Sequence, residues 1–206
     1  MRTYKANPRV RAIVTFNLDA VLQNYVVFRY GKRLLRTIER ASASPTPGKI
    51  SIYHMHGFLR FDQKAKDRSK EAPDAVVLTE QDYFDFFNDP TSLFNYTFLS
   101  LLREFSCLFV GLSMQDENIR RLLHYSKKER VRSLENEGER DEAIRRKSLR
   151  HFAILPRSGV THIDCSIEES LLPLGTQVLW VDDFSEIPKQ FQEMYQAAGD
   201  GWNLVY

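Results

Sequence analysis

Short apolar runs alternate with longer helical patterns along most of the chain. The apolar runs are rich in β-branched or aromatic residues, as is typical of buried strands, and cover residues 10–15, 50–55, 107–111, 152–155 and 178–181. Helical patterns cover residues 19–38, 80–87, 92–105, 117–126 and 186–197, together with a charged stretch that ends at Arg150. This order of strands and helices predicts an α/β fold, with a Rossmann-like, mostly parallel sheet and helices on both faces.

The pattern predicts one domain over residues 1–206 with two additions to the strand and helix order. The first is a helical, aromatic-rich insert at about residues 58–105, in which Thr79 and Asp82 have the spacing of a capping box and predict a helix start. The second is a charged helical excursion at about residues 126–150, which has few apolar positions. We expect the aromatic part of the insert to be core and the excursion to be mostly solvated.

The composition suits a soluble globular protein and excludes several classes of function. Of the 206 residues, 43% are hydrophobic, and the formal net charge of +2 gives no reason to expect a nucleic-acid partner. Charges or prolines interrupt every apolar run before it reaches the length of a membrane span. The two cysteines, Cys107 and Cys165, form no Cys-x-x-Cys motif and cannot build a four-cysteine zinc module. We therefore expect a cytoplasmic protein with no metal site and no membrane partner.

Polar residues cluster directly after three of the predicted strands. The segments are TFNLD at residues 15–19, HMHG at residues 54–57 and GLSMQDEN at residues 111–118. In open α/β sheets, ligands bind beyond the carboxyl ends of the strands, so these segments are candidates for a binding crevice. Together they offer amide, carboxylate, imidazole and hydroxyl groups, and glycines that let a ligand approach the backbone.

In order and spacing, these segments resemble the motifs of sirtuins. TFNLD resembles the Thr-x-Asn-x-Asp segment, HMHG contains a pair like the catalytic His-Gly, and GLS at residues 111–113 is similar to the Gly-x-Ser nucleotide loop. The pattern resembles most the bacterial sirtuin-like, NAD-consuming domain family, whose Gly-x-Ser-x-x-Asp-x-Asn element reads here as Gly111, Ser113, Asp116 and Asn118. The resemblance covers about residues 10–125, with a weaker match over residues 176–197.

The resemblance implies that NAD is the substrate and that the bond between nicotinamide and ribose is cleaved. It implies that Asn17 positions the ribose or the attacking water and that His56 polarises or deprotonates a ribose hydroxyl or water, which makes both candidate catalytic residues. An imidazole suits this role because its ordinary pKa lies near neutral pH. The implied NAD-binding residues are Thr15, Asp19, Gly57, Gly111, Ser113 and Asp116, with Asp19 near the nicotinamide.

The predicted activity is therefore that of an NAD glycohydrolase, an NADase that releases nicotinamide and ADP-ribose. By the same resemblance, the protein is expected to be a bacterial anti-phage defence effector.

Each candidate residue also has a structural interpretation. His56 can be a core or turn histidine. Of the two histidines in this segment, we assign the crevice to His56. Four candidates can instead cap helices: Asn17, Asp19, Ser113 and Asp116. Aromatic residues of the insert can partly roof the pocket, among them Phe84, Phe87 and Phe94.

Two departures from the sirtuin pattern leave other functions open. Sirtuin deacylases carry a four-cysteine zinc ribbon beside the acyl-lysine groove, so the lack of one here favours NAD hydrolysis over NAD-dependent protein deacylation. The family's Gly-Ala-Gly-x-Ser strand, loop and helix, which cradle the pyrophosphate, have no counterpart, and the chain's Gly-x-Gly lies at Gly199 and Gly201. The alternatives are a catalytically inactive subunit that binds NAD or ADP-ribose or serves assembly, a deacylase, and an ADP-ribosyltransferase.

A sheet that lacks the strand, loop and helix of the Gly-Ala-Gly-x-Ser segment has exposed edges and an uncovered apolar face. We therefore expect the functional unit to contain more than these 206 residues and to be a homo-oligomer or a complex with a partner chain.

Overall fold

A computed structural model of the chain describes residues 10–39, 43–59, 76–89 and 92–197. The chain divides into two units, Met1–Phe98 and Leu99–Tyr206. Residues 60–75 of the predicted insert, and the glycines at 199 and 201, lie outside the described residues.

The first unit is built on a three-stranded parallel sheet. Its elements are strand β1 (Ala12–Thr15), helix α1 (Val21–Tyr30), strand β2 (Leu35–Ile38), strand β3 (Ile50–His54), helix α2 (Glu80–Asn88) and the start of helix α3 (Leu93–Glu104). The strand order is β1-β3-β2, and Thr15 is in register with His54 at the carboxyl end of the first pair. The central strand β3 is the most buried of the three, with Ile52 fully inaccessible, because strands border it on both sides.

The predicted helix over residues 19–38 is wrong in its second half. Helix α1 ends at Tyr30, and the Gly31 N–H donates to the Val27 carbonyl oxygen at 2.9 Å. The chain then forms β2, in which Leu35 and Ile38 are buried and pair along β3. Pairing with a strand that is distant in sequence outweighs the local helical pattern here.

The helix start predicted at Thr79 is confirmed. The Asp82 backbone N–H donates to Thr79 Oγ1 at 3.1 Å, and the Thr79 backbone N–H donates to Asp82 Oδ2 at 2.9 Å. These reciprocal bonds satisfy N–H groups at the start of α2 that lack a partner within the helix.

The second unit is built on another three-stranded parallel sheet. Its elements are strand β4 (Leu108–Val110), helices α4 (Glu117–Asn136) and α5 (Asp141–Ser148), strand β5 (His151–Pro156), helix α6 (Thr161–Leu171), strand β6 (Thr176–Val181) and helix α7 (Ile187–Ala197), with 3-10 turns at Leu172–Leu174 and Phe184–Glu186. The strand order is β4-β5-β6. Ala153, Ile154 and Leu155 of the central strand β5 are buried.

Two helical segments of the second unit differ from the sequence prediction. The charged stretch forms the rest of α4 and the separate helix α5, and Leu134 within it is 1% exposed, so the stretch is anchored to the core. Helix α6 was not predicted. No side chain caps its start at Val160, and Ile163 is exposed, so the local helix signals there are weak.

The predicted α/β, Rossmann-like fold class is confirmed. Every strand pair in the described part of the chain is parallel, and a helix lies between most successive strands. Hydrogen bonding groups the described strands into two three-stranded sheets, one in each unit, where the sequence analysis expected a single sheet.

Gly175 links the 3-10 turn to β6, and we expect Gly175→Ala to be clearly destabilising. Gly175 has φ of +74°, and an added Cβ would lie 2.9 Å from the Ser148 carbonyl oxygen. Gly138 has nearly the same φ, +75°, but an added Cβ there meets no atom within 4 Å. Left-handed backbone costs either alanine about 1 kcal/mol or more, and the clash adds about 1–3 kcal/mol at Gly175 alone.

Urea unfolding of Gly175→Ala and Gly138→Ala beside the parent chain measures this difference. Equal losses of unfolding free energy in the two variants would show that the contact with Ser148 relaxes without cost.

Candidate functional site

The carboxyl edge of the first unit's sheet carries the two predicted catalytic residues. Strands β1 and β3 are parallel neighbours, and the ladder between them ends at the pair Thr15 and His54. Asn17 follows Thr15 by two positions, and His56 follows His54 by two positions. Because parallel strands end at the same edge of a sheet, both predicted catalytic residues lie at that edge.

The backbone around Asn17 is held on several sides, while the residue itself is exposed. The Asn17 N–H donates to Thr15 Oγ1 at 3.1 Å, and the Asn17 carbonyl oxygen accepts from His54 Nδ1 at 2.9 Å. The next carbonyl, that of Leu18, accepts from the Leu59 N–H at 2.7 Å. The loop after β1 is therefore tied down through its backbone.

Thr15 and Asp19 both have structural roles within this loop. Thr15 supplies the hydroxyl that accepts from the Asn17 N–H, and Asp19 Oδ1 accepts from the Val21 N–H at 2.9 Å, at the entrance to α1. The helix-entry interpretation of Asp19 thus agrees with the structure, since its carboxylate binds an N–H at the start of the helix.

His56 is half-buried in a cluster of aromatic rings. Its ring centroid lies 5.2 Å from that of Phe16, 5.7 Å from that of Phe86 and 6.3 Å from that of Tyr83, with interplanar angles of 69° to 87°. Such edge-to-face contacts restrict the orientation of the ring. The neighbouring Gly57 is buried at φ of +89°, and its N–H donates to the His54 carbonyl oxygen, closing the turn after β3.

The two histidines of the HMHG segment occupy different environments. His54 is fully buried, and its pKa is lowered, chiefly by burial, although the Asn17 carbonyl and the Asp19 charge act in the opposite direction. His56 retains access to solvent. Of the two, His56 is therefore the one that a ligand could reach, as the sequence analysis assumed.

In the second unit, the loop from β4 to α4 carries the other predicted binding residues. Gly111 and Ser113 are exposed, and Ser113 Oγ accepts from the Gln115 N–H at 3.4 Å. Asp116 caps α4, because its Oδ1 accepts from the Ile119 N–H at 2.8 Å. A carboxylate only accepts hydrogen bonds and is negatively charged, so Asp116 suits a ribose hydroxyl better than a phosphate.

Residues 11–172 match the family model of the SIR2-like domain. The chain belongs to the SIR2-like domain family. No curated protein matches the chain. SIR2-like domains use NAD, so the family assigns this chain an NAD-related function.

The match covers all eight predicted site residues of this SIR2-like domain and extends past the region of strongest resemblance, residues 10–125. It ends at the start of the 3-10 turn Leu172–Leu174, so β6 and α7 lie outside it. The family assignment therefore rests on both units, while the roles of the individual residues remain predictions.

The described residues of this SIR2-like domain carry neither a metal-binding cluster nor a membrane-spanning helix. They contain no group of three or more His, Cys, Asp or Glu residues arranged to hold a metal ion. No helix in the same part of the chain is long and apolar enough to cross a bilayer.

Several neighbours of the two predicted catalytic residues were not predicted from the sequence. Tyr83 and Phe86 contact His56. The roof formed by Phe84, Phe87 and Phe94 stays a prediction. The three-residue spacing of Tyr83 and Phe86 along α2 puts them on one helix face, a signal that the sequence did contain. The bond from His54 to Asn17 joins residues 37 positions apart and left no local signal.

Proposed function

We propose that this SIR2-like domain is an NAD glycohydrolase that converts NAD and water to nicotinamide and ADP-ribose. The observation that carries the proposal is the placement of Asn17 and His56 at equivalent positions past the ends of two neighbouring parallel strands. An amide and an imidazole at one sheet edge are suited to holding a ribose and activating water.

The proposed reaction breaks the bond between the nicotinamide nitrogen and the anomeric carbon of the ribose. The electron pair of that bond leaves with nicotinamide, and the ribose passes through an oxocarbenium-like state, as in other glycosyl transfers. Water then forms the new bond to the anomeric carbon, and His56 accepts its proton. In this proposal, Asn17 holds the ribose or the water in line with the bond that breaks.

The remaining binding residues belong to the same proposal. Thr15 and Asp19 shape the loop that presents Asn17, and Gly57 closes the turn that presents His56. In the second unit, Gly111, Ser113 and Asp116 lie at the entrance to α4, where the hydroxyl of Ser113 and the carboxylate of Asp116 are suited to binding ribose hydroxyls. We propose Thr15, Asp19 and Gly57 as NAD contacts of the first unit. Separately, we propose Gly111, Ser113 and Asp116 as NAD contacts of the second unit.

A homo-oligomer or partner chain is also part of the proposal. Val21, Tyr25 and Phe28 lie on one face of α1, and they are 70%, 62% and 90% exposed. An exposed apolar stripe of this kind supports association with another protein surface. The role as an anti-phage defence effector is supported by the resemblance to bacterial sirtuin-like domains.

The products formed from NAD distinguish the proposed activity from its alternatives. We expect the purified chain to convert NAD to free ADP-ribose and nicotinamide, measured by chromatography with an acetyl-lysine peptide present. An O-acylated ADP-ribose would indicate a deacylase, and ADP-ribose attached to protein would indicate a transferase. NAD that stays intact would contradict autonomous catalysis and favour a binding or assembly subunit.

A further inference from the structure

Helix α1 buries a glutamine while several of its apolar side chains face outward. Gln23 is 6% exposed, whereas Tyr25 and Phe28 on the same helix are 62% and 90% exposed. Burying an amide costs free energy unless the amide is hydrogen-bonded. Gln23 is the buried residue of this helix, so its polar contact inside the first unit needs an explanation.

The contact of Gln23 is the ring of His54, which is itself fully buried. His54 Nδ1 lies 2.9 Å from the Asn17 carbonyl oxygen, and since a carbonyl can only accept, Nδ1 must carry the hydrogen. In the neutral ring, Nε2 is then an acceptor, and Gln23 Nε2 donates to it. Phe58 packs on the ring at a centroid distance of 4.5 Å.

These contacts form a chain of hydrogen bonds from α1 through β3 to the loop after β1. Gln23 fixes the rotation of the His54 ring, and the ring fixes the peptide group that follows Asn17. The Asn17 N–H is bonded to Thr15 Oγ1, so the Asn17 backbone is held from both sides. A backbone held in this way limits the directions in which the Asn17 side chain can point.

We propose that His54 is a positioning residue, which orients Asn17 for cleavage of NAD and is itself held by Gln23. The proposal rests on the proposed function, because it gives His54 a task in that reaction. His54 does not act on NAD itself, since its ring is buried and both of its nitrogens are used.

Two substitutions of His54 separate the bond to Asn17 from the contact with Gln23. In His54→Asn, the side-chain nitrogen takes the place of Nδ1 and can still donate to the Asn17 carbonyl. In His54→Gln, the longer side chain places its amide near the Nε2 position and loses that bond. We expect His54→Gln to lower kcat by about 10-fold to 100-fold, with KM changed by less than about three-fold, because Asn17 is misplaced. His54→Asn keeps the bond to Asn17 and loses only the contact with Gln23, so its kcat should match that of Gln23→Met and stay above that of His54→Gln.

Gln23→Met tests the α1 end of this series of hydrogen bonds, with Asn24→Met as its matched control. Gln23 is buried against His54, whereas Asn24 is exposed on the same helix. We expect Gln23→Met to lower kcat by about 10-fold and Asn24→Met to leave kcat unchanged. If neither His54 variant folds, the two methionine variants test the proposal by themselves. Equal kcat in Gln23→Met and Asn24→Met would overturn it.

A readout without turnover separates this proposal from the proposed function. Backbone 15N relaxation of residues 15–19 should show a rigid loop in the parent chain and in His54→Asn, and a mobile loop in His54→Gln. Equal loop mobility or equal kcat in the two His54 variants would overturn the positioning role. A parent chain that leaves NAD intact would refute the proposed function, while the relaxation data would still decide whether His54 holds Asn17.

Discussion

Replacing Asn17 with alanine is expected to lower kcat for NAD cleavage by about 100-fold or more, the range seen when one polar group that serves the transition state is removed. The hydrogen bonds that hold this loop use the backbone of Asn17, and alanine keeps that backbone. The residue is exposed, so its truncation leaves no cavity in the core. The variant should therefore fold as the parent does and fail in the reaction.

The measurement is steady-state NAD hydrolysis by the parent, Asn17→Ala and Asn24→Ala, with thermal unfolding of each. Asn24 is an exposed asparagine on α1 and serves as the matched control, for which we expect parental kcat. Parental kcat in Asn17→Ala would remove Asn17 from the catalytic residues.

His56→Ala is a less selective test of the same site. In its proposed role as general base, His56 should contribute about 100-fold to 10,000-fold to the rate. Its ring also contacts Phe16, Phe86 and Tyr83, so its removal disturbs the aromatic cluster as well as the chemistry. Asn17 is the sharper test because its side chain has no such packing role.

The elements that could be predicted from the sequence are those with local signals. The capping box at Thr79 and Asp82 lies within four consecutive residues, and the structure forms it as predicted. The strands around Ile52 and Ile154 are mostly apolar runs, and both are central strands. Strand β2 was not predicted because the positions of Leu35 and Ile38 fit a helical pattern as well as a strand. Only their pairing with β3 distinguishes the two.

For the candidate site, the sequence motifs predicted which residues belong to the site. They did not predict which side chains contact one another there. Asn17 and His56 each follow a strand, which an apolar run ahead of a polar cluster indicates. The loop that carries Asn17 is held by side chains that are far apart in sequence and contact each other in the fold. His54, for example, contacts Gln23 and the Asn17 backbone. The helical pattern predicts that Gln23 lies on the protein surface, because nothing near it in sequence indicates that it is buried.

Acidification is expected to destabilise the folded chain through His151 before the carboxylates of Asp82, Asp164 and Asp183 are protonated. His151 is 3% exposed on β5, and its Nδ1 accepts from the Cys107 N–H at 3.2 Å. Burial, and to a lesser degree the charge of Arg150, lowers its pKa from 6.5 to about 4. Hydrogen bonds from Thr79, Ser158 and Ser185 hold the pKa of three carboxylates below the ordinary 3.8, those of Asp82, Asp164 and Asp183.

The direction of the effect follows from proton binding in the two states. Between pH 6.5 and pH 4, the unfolded chain binds a proton at His151 that the folded chain does not bind, so stability is full above pH 6.5 and falls towards pH 4. A pKa difference of this size corresponds to about 3 kcal/mol of unfolding free energy. Burial also lowers the pKa of His54, which adds a loss in the same direction.

Urea unfolding at several pH values between 7 and 4, for the parent, His151→Asn and His124→Asn, tests this expectation. In His151→Asn, the side-chain oxygen replaces Nδ1 as acceptor for the Cys107 N–H and does not titrate, so the loss of stability should shrink by about 3 kcal/mol. His124 is exposed on α4, and His124→Asn should keep the parental pH dependence. An unchanged pH dependence in His151→Asn would mean that the folded chain accepts the His151 proton as readily as the unfolded chain does.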